Sequence, residues 1–476
     1  MNIIIITIDC LRQDRCGIYD YYRATTPTID SIADEAYIFD NAYSTGPTTT
    51  ESFAGILAGR LSKEAEPGDT VYRKTIPNGE GTIASHLQDY GYSTGAIISN
   101  PRVDKQLNID KGFDRFSNLR NDSTSSESTQ GAASLVPDFH IGNKLYEIRE
   151  NMRDRETVRL RYLLPFLVYR SYQLSTDWPS MRSQTVITEF LNTIEKLSEP
   201  FFAWTHLMDL HGPINPGVIN DSKLYSSHTL AQFYSQSKRV GNIHNPATSA
   251  RYDAALRHID DQVYRIQQWL KRRDLFDNTA IIITADHREA LADRGIYGHP
   301  LHYMYDELLQ VPLIIRIPGQ DGTRIQHNFS LGWLHELISD MLSISRPKFP
   351  SQSSRETHLS SNTVVDSTPI YADTISEAGH TVAIRQGNTK MVRHSETFQT
   401  GEDSKITKKD RVTPDAMFRL DIDPNERDPL NVDPDHHLAE KAENFLCDPD
   451  AWFQYDSHSA VDKETLDQLQ QLGYSK

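Results

Sequence analysis

Two apolar runs in this chain end on residues able to hold a hard cation. Asn2-Ile3-Ile4-Ile5-Ile6-Thr7-Ile8 runs into Asp9, and Ile281-Ile282-Ile283-Thr284-Ala285 runs into Asp286-His287. Short β-branched runs bounded by polar residues suit strands buried on both faces of a parallel sheet. Ligands of open α/β sheets bind beyond the carboxyl ends of such strands. Asp9 and Asp286, distant in sequence, are therefore expected on one sheet edge, where two carboxylates and an imidazole make a cation site. The plainer reading is two ordinary strands followed by N-capping aspartates.

The elements that must position these residues are legible on either side. Before Asp286, Tyr252, Leu256, Ile259, Val263, Ile266 and Leu270 recur at spacings of three and four, which predicts a helix with one buried stripe. From residue 1 to about 345, apolar runs alternate with helix-period segments, as in a doubly wound α/β domain. A polar insertion at about 119–172 interrupts it. Its second part, 143–172, reads as a helix carrying Lys144, Arg149, Arg153, Arg155, Arg159, Arg161 and Arg170, either a solvated face, a guide for an anionic substrate or a surface that binds a partner. Residues 346–368, with Pro347, Pro350 and many serines, read as a linker. In 369–476, Thr381–Arg385 and Lys390–Arg393 predict short antiparallel strands around Gly387-Asn388.

Six segments in order resemble the sulfatase family. Asp286-His287-Arg288-Glu289 through Gly298-His299 is similar to that family's Asp-His-Gly-Glu segment and its later Gly-His or Gly-Lys. Tyr305–Arg316 is similar to the helix and strand that follow. Thr26-Pro27-Thr28-Ile29-Asp30, Phe201–Pro213 with its histidine-rich loop, Asp423-Pro424-Asn425-Glu426 and Leu472-Gly473-Tyr474 complete the set. The resemblance implies an alkaline-phosphatase-like fold: a doubly wound, mostly parallel sheet plus a small C-terminal α+β subdomain with an antiparallel sheet.

It also implies a site, with one departure at its centre. Sulfatases mature a cysteine in Cys-x-Pro-x-Arg to formylglycine, and Cys10, Cys16 and Cys447 all lack that context. Counting back from Ala58-Gly59-Arg60, similar to the end of the family's helix, places Thr49 at the cysteine, Glu51 at the proline and Phe53 at the arginine. Superfamily relatives that place a threonine on a divalent metal imply the ligand set Asp9, Thr49, Asp286 and His287, with Thr49 as nucleophile. Cys10 stands where many sulfatases carry a second aspartate. An imidazole in the set favours Mn²⁺ or Zn²⁺ over Ca²⁺ or Mg²⁺. The resemblance assigns His211 to the anion and His299 to the leaving group. Arg60 and Arg288 are the candidate substrate-binding cations; Arg288 replaces a glycine beside the metal. His206, Asp209 and His302 do not fit a second metal site by spacing and are read as structural or outer-shell.

Composition bounds the rest. A chain of 476 residues is long enough for a large domain and a smaller one. No run approaches the ~18 apolar residues of a membrane span. The first strand begins at residue 2 and only three cysteines are present, so the expected location is cytoplasmic. A net charge of −16 argues against nucleic acid as a partner. Three readings follow: a metal-dependent hydrolase of sulfate esters acting on an anionic glycan or small sulfated metabolite; a phosphodiesterase, phosphonate hydrolase or phosphoalcohol transferase; or a non-catalytic anion-binding relative, favoured by Phe53 and Arg288. Oligomeric state is not encoded in any feature recognised.

Overall fold

The structure is a computed structural model that describes residues 1–68, 73–103, 105–122, 181–212, 214–224, 246–347, 368–398 and 412–449, with 349, 359 and 452. The predicted basic helix 143–172, most of the polar linker 346–368 and the terminal Leu472-Gly473-Tyr474 lie outside the described residues.

The main sheet has nine strands. They are β1 (Asn2–Ile8), β2 (Ala36–Tyr43), β3 (Ser93–Ile98), β4 (Arg115–Asn118), β5 (Phe201–Leu207), β6 (Thr279–Thr284), β7 (Gln310–Arg316), β8 (Arg324–Ile325) and β9 (Phe329–Ser330). The order is β8-β2-β7-β6-β1-β5-β3-β4, with β9 also on β2. Only β7 runs against its neighbours β6 and β2. The two isoleucine-rich strands lie side by side, Thr7 opposite Thr284, and β5 flanks β1 with His206 opposite Thr7. Every residue of β1, β5 and β6 is buried, as a sheet covered on both faces requires.

The helices that cover this sheet follow the predicted stripe. Among them are α1 (Pro27–Ala33), α2 (Thr49–Ala58), α3 (Ile83–Asp89), α4 (Ser183–Ile194) and α5 (Pro246–Lys271). Tyr252, Leu256, Ile259, Val263, Ile266 and Leu270 of α5 are all buried. Asp260, on the same helix, accepts from the backbone N–H groups of Thr28 (2.9 and 3.0 Å) and Ile29 (2.9 Å), capping the start of α1. No helix among the described residues is long and apolar enough to cross a membrane.

After α6 (Asp306–Leu309) and α7 (Leu334–Leu342), the C-terminal region forms a four-stranded antiparallel sheet: β10 (Ile370–Ser376), β11 (Gly379–Gln386), β12 (Thr389–His394) and β13 (Ala416–Arg419), packed on by α8 (His437–Phe445). The two predicted strands are β11 and β12; β10 was not recognised because it follows a polar stretch. This sheet shares the main core through Ile370, Ala372, Ala383, Val392 and Phe418. A buried ionic cluster also joins the two parts. Asp306 pairs with Lys390 at 2.5 Å and Arg385 at 2.9 Å, and Lys390 pairs with Glu426 at 2.6 Å. Asp306→Ala should leave Arg385 and Lys390 to share Glu426 alone and lower stability by about 3 kcal/mol, read as a shift in urea midpoint.

Candidate active site

The carboxyl ends of β1 and β6 deliver Asp9 and Asp286 together, both fully buried. His206, the sixth residue of β5, points Nε2 at Asp9 Oδ2 at 3.2 Å. Asp9, Asp286 and His206 each offer a donor atom, and these atoms lie within 4.8 Å of one another. Asn100, just beyond β3, donates to Asp9 Oδ2 at 3.4 Å. His287 follows Asp286, and its Nε2 lies 3.5 Å from Asp286 Oδ2 and 3.2 Å from Thr49 Oγ1, at the first residue of α2. Asp9, Thr49, Asp286 and His287 are therefore brought together.

Hydrogen bonds orient both imidazoles. His287 Nδ1 lies 3.0 Å from the Arg288 carbonyl oxygen, which can only accept, so that nitrogen carries a proton and Nε2 presents its lone pair in the neutral ring. Thr7 Oγ1 gives its proton to Thr205 O (3.1 Å) and lies 3.0 Å from His206 Nδ1, which assigns the His206 proton to Nδ1 as well. When neutral, both rings aim lone pairs at carboxylate oxygens, an arrangement that a proton or a cation must bridge. Asp286 Oδ2 has no hydrogen-bond partner among the described residues. Burial raises the Asp286 carboxyl and the Asp9 charge raises it further, whereas at Asp9 burial is overcome by the His206 hydrogen bond and by the His211 and His287 charges, holding it well below the usual range. Burial lowers His287, but the Asp286 and Asp9 charges outweigh it and the net shift is upward. Two buried carboxylates, two oriented imidazoles, a hydroxyl and an orphaned oxygen fit a divalent cation.

The remaining histidines line this cluster. The His299 ring lies 4.5 Å from that of His287 and 5.1 Å from that of His211. Glu289, not singled out from the sequence, holds His299 Nδ1 at 2.7 Å. Burial pushes His299 down to about 4 despite Glu289. His211 Nδ1 is fixed on the Gly212 carbonyl at 2.7 Å.

Three sequence expectations need correction or refinement. Arg288 does not face the carboxylates: its guanidinium reaches Asp14 Oδ1 (3.0 Å), Gln310 O (3.0 Å) and Asp306 O (3.3 Å), because a side chain this long is taken up by acceptors behind the loop. Arg60 lies past the far end of α2, bonded to Glu64 O (2.8 Å) and Glu80 (3.0 Å), away from Thr49. His206, read as structural or outer-shell, lies against Asp9 in a group that could hold a metal ion; its place within the apolar run Phe201–Leu207 was the available signal. Of its companions, Asp209 bonds Ser183 and His302 sits between Ser376 and Thr381, each at 2.7 Å from His302.

Phe53 and Glu51, the two departures that follow Thr49, have defined surroundings. Phe53 stands edge-on to His206 (4.9 Å) and Trp204 (5.0 Å), an apolar wall where the resemblance implies arginine. Glu51 is buried, accepts from Thr48 Oγ1 (3.2 Å) and Thr374, and lies 3.7 Å from Lys74. Burial, opposed by Lys74, pushes its carboxyl up to about 7.

Comparison with known proteins agrees with this architecture. The chain has the fold of a sulfatase-like, alkaline-phosphatase-like α/β protein. A model of the sulfatase family matches residues 1–343, and the chain belongs to that family. It is similar to an arylsulfatase of Clostridium perfringens (24% identity over 345 residues, 67% of this chain and 69% of the relative). It is also similar to an N-acetylglucosamine-6-O-sulfatase of Bacteroides thetaiotaomicron (26% over 377 residues, 67% and 63%). The second match thus spans less than two thirds of that relative's length. Two solved structures share the fold. One is a protein in complex with its substrate D-glucosamine-2-N,6-O-disulfate (TM-score 0.60, 16% identity, 99% and 98% covered). The other is a phosphonate monoester hydrolase of Silicibacter pomeroyi (TM-score 0.60, 18%, 93% and 93%).

A cation bound here should stabilise the fold by about 2.7 kcal/mol at a hundredfold excess over Kd. Thermal unfolding should therefore shift upward with added Mn²⁺ or Zn²⁺ and back with a chelator, and Asp286→Asn should abolish the shift.

Proposed function

We propose that this protein is a metal-dependent hydrolase of sulfate esters in which Thr49 replaces formylglycine as nucleophile. The observation that carries the reading is the position of Thr49 Oγ1 at the N-terminus of α2, 3.2 Å from His287 Nε2, which itself lies 3.5 Å from Asp286 Oδ2. Asp9, Asp286, His287 and Thr49 would hold the cation, with His206 beside Asp9. Bound there, Mn²⁺ or Zn²⁺ would favour the alkoxide of Thr49 and neutralise charge on the ester oxygens.

The chain's own residues divide the remaining work. The N–H groups and the dipole at the start of α2 favour the substrate anion. Thr49 Oγ, its proton released to solvent on ionisation, would attack sulfur in line, and the bond from sulfur to the ester oxygen breaks as the Oγ–sulfur bond forms. His211, its Nδ1 tied to the Gly212 carbonyl, would as an imidazolium give its Nε2 proton to the departing alkoxide. His299, neutral and steered by Glu289, is suited to take a proton from the water that then cleaves the Thr49 ester. This shifts leaving-group assistance from His299 towards His211. The sulfated amino sugars named for the relatives make a sulfated glycan the substrate class to test first.

A phosphodiester or phosphonate substrate is the second reading. Phe53 favours it, because an apolar wall replaces the cation implied by the resemblance, and the likeness in fold to a phosphonate monoester hydrolase points the same way.

The test compares wild type with Thr49→Ala on aryl sulfate, aryl phosphate, aryl phosphodiester and a 6-O-sulfated amino sugar after metal loading. Metal-dependent turnover in wild type should fall at least about 10³-fold in the variant, the scale expected when the attacking group of a covalent mechanism is removed. Equal rates would sink the Thr49 mechanism, and the preferred ester decides between sulfur and phosphorus.

A further inference from the structure

Cys10 is a donor at this centre to which the proposed reaction gives no task. It follows Asp9 directly and adopts a left-handed backbone, φ 62°, a conformation uncommon for residues other than glycine. That turn aims its fully buried Sγ back into the cluster, 2.9 Å from Asp9 Oδ1, 3.3 Å from Glu289 Oε2 and 3.9 Å from His299 Nδ1. Cys10, His287 and His299 each offer one donor atom, and the three lie within 4.8 Å of one another. Cys16, equally buried, instead directs its thiol to the Arg12 carbonyl at 3.5 Å. Burial alone therefore does not explain where Cys10 points. Asp286 Oδ2 in the same cluster, without a hydrogen-bond partner among the described residues, is an independent sign of a cation site.

We infer that Cys10 is a ligand of the metal, supplying a thiolate beside Asp9, and that it makes the centre select a thiophilic transition ion over Ca²⁺ or Mg²⁺. The inference rests on the metal-dependent reading above. On binding, the S–H bond breaks, the proton leaves to buffer and a sulfur–metal bond forms; no electrons are transferred. An all-oxygen set suits Ca²⁺ or Mg²⁺, whereas sulfur with imidazole suits Zn²⁺ or its spectroscopic substitute Co²⁺. Replacing an aspartate with cysteine at this position thus changes which ion the protein takes rather than removing a ligand.

The test strips the full chain with chelator and reloads it with Co²⁺. Wild type should show a thiolate-to-cobalt charge-transfer band in the near ultraviolet, and Cys10→Ser should lack it while retaining weaker cobalt bands. Competition titrations should show Zn²⁺ affinity falling by about 10–100-fold or more in that variant. Cys10→Asp, checked for folding by circular dichroism, should also lack the sulfur band and should gain affinity for Ca²⁺ or Mg²⁺. Cobalt bound by wild type without a sulfur band, or equal Zn²⁺ affinity in wild type and Cys10→Ser, would overturn the inference and leave the metal-dependent reading standing. A wild type that binds neither ion would overturn both.

Discussion

The rest of the structure depends on holding Asp9 and Asp286 next to each other out of water. Burial and mutual repulsion both oppose ionisation of such a pair, and their charges can coexist only if positive charge is supplied between or around them. The protein does this with strand pairing. β1 and β6 are adjacent and in register at Thr7 and Thr284, so the two carboxylates leave the sheet at the same level. β5 then brings His206 to the open side of Asp9, and the residue after Asp286 is itself a histidine. The same field that makes the pair costly is what attracts a divalent cation.

A second set of charges keeps that field from being dissipated. Arg12 lies just past Asp9, yet its guanidinium is fully used by Asp14 (2.7 Å), Asp293 (2.6 Å) and the Glu289 carbonyl (3.0 Å). Arg288 donates to the same Asp14, at Oδ1 (3.0 Å), which Arg12 also bonds. Two arginines that border the acidic site are thus held by carboxylates other than Asp9 and Asp286. This is why the bulky residue in place of a glycine after Asp286-His287 leaves the centre uncrowded.

The strand-end carboxylates, the α5 stripe and the two C-terminal strands were legible because each is a local pattern: a β-branched run, a 3.6-residue period, an alternation around Gly-Asn. Thr49 required the family register, since three threonines before a helix look alike as capping residues. His206, Glu289 and Asn100 were not recognised because their roles arise from three-dimensional proximity. His206 lies inside a strand where a histidine is ordinarily hydrogen-bonded core, and Glu289 acquires its partner only when the short hairpin of Ala290–Leu291 and Tyr297–Gly298 folds His299 back. Arg288 and Arg60 were misread for the complementary reason: a cation close in sequence to a site goes to the nearest acceptor, which sequence does not locate.

The C-terminal sheet belongs physically to the site, although it follows the family-matched segment. Strand β10 grips α2 at both ends. Asp373 N donates to Thr45 O at 3.0 Å ahead of the helix, and the Asp373 carboxylate accepts from Ser62 N (2.6 Å) and Lys63 N (3.0 Å) beyond it. Thr374 bonds Glu51, which in turn holds the N-cap Thr48, and Lys74 spans from Glu51 to the Ile375 carbonyl (2.9 Å). Gly46 is where this clamp is tightest: a Cβ there would come within 2.5 Å of Glu51 Cβ and 3.1 Å of Asp373 O. A helix fixed at both termini cannot slide along its axis, and a shift of one ångström would separate Thr49 Oγ1 from His287 Nε2. Glu51, in the position of the family's proline, therefore replaces a local backbone restraint on the helix that begins at Thr49 with a tertiary one.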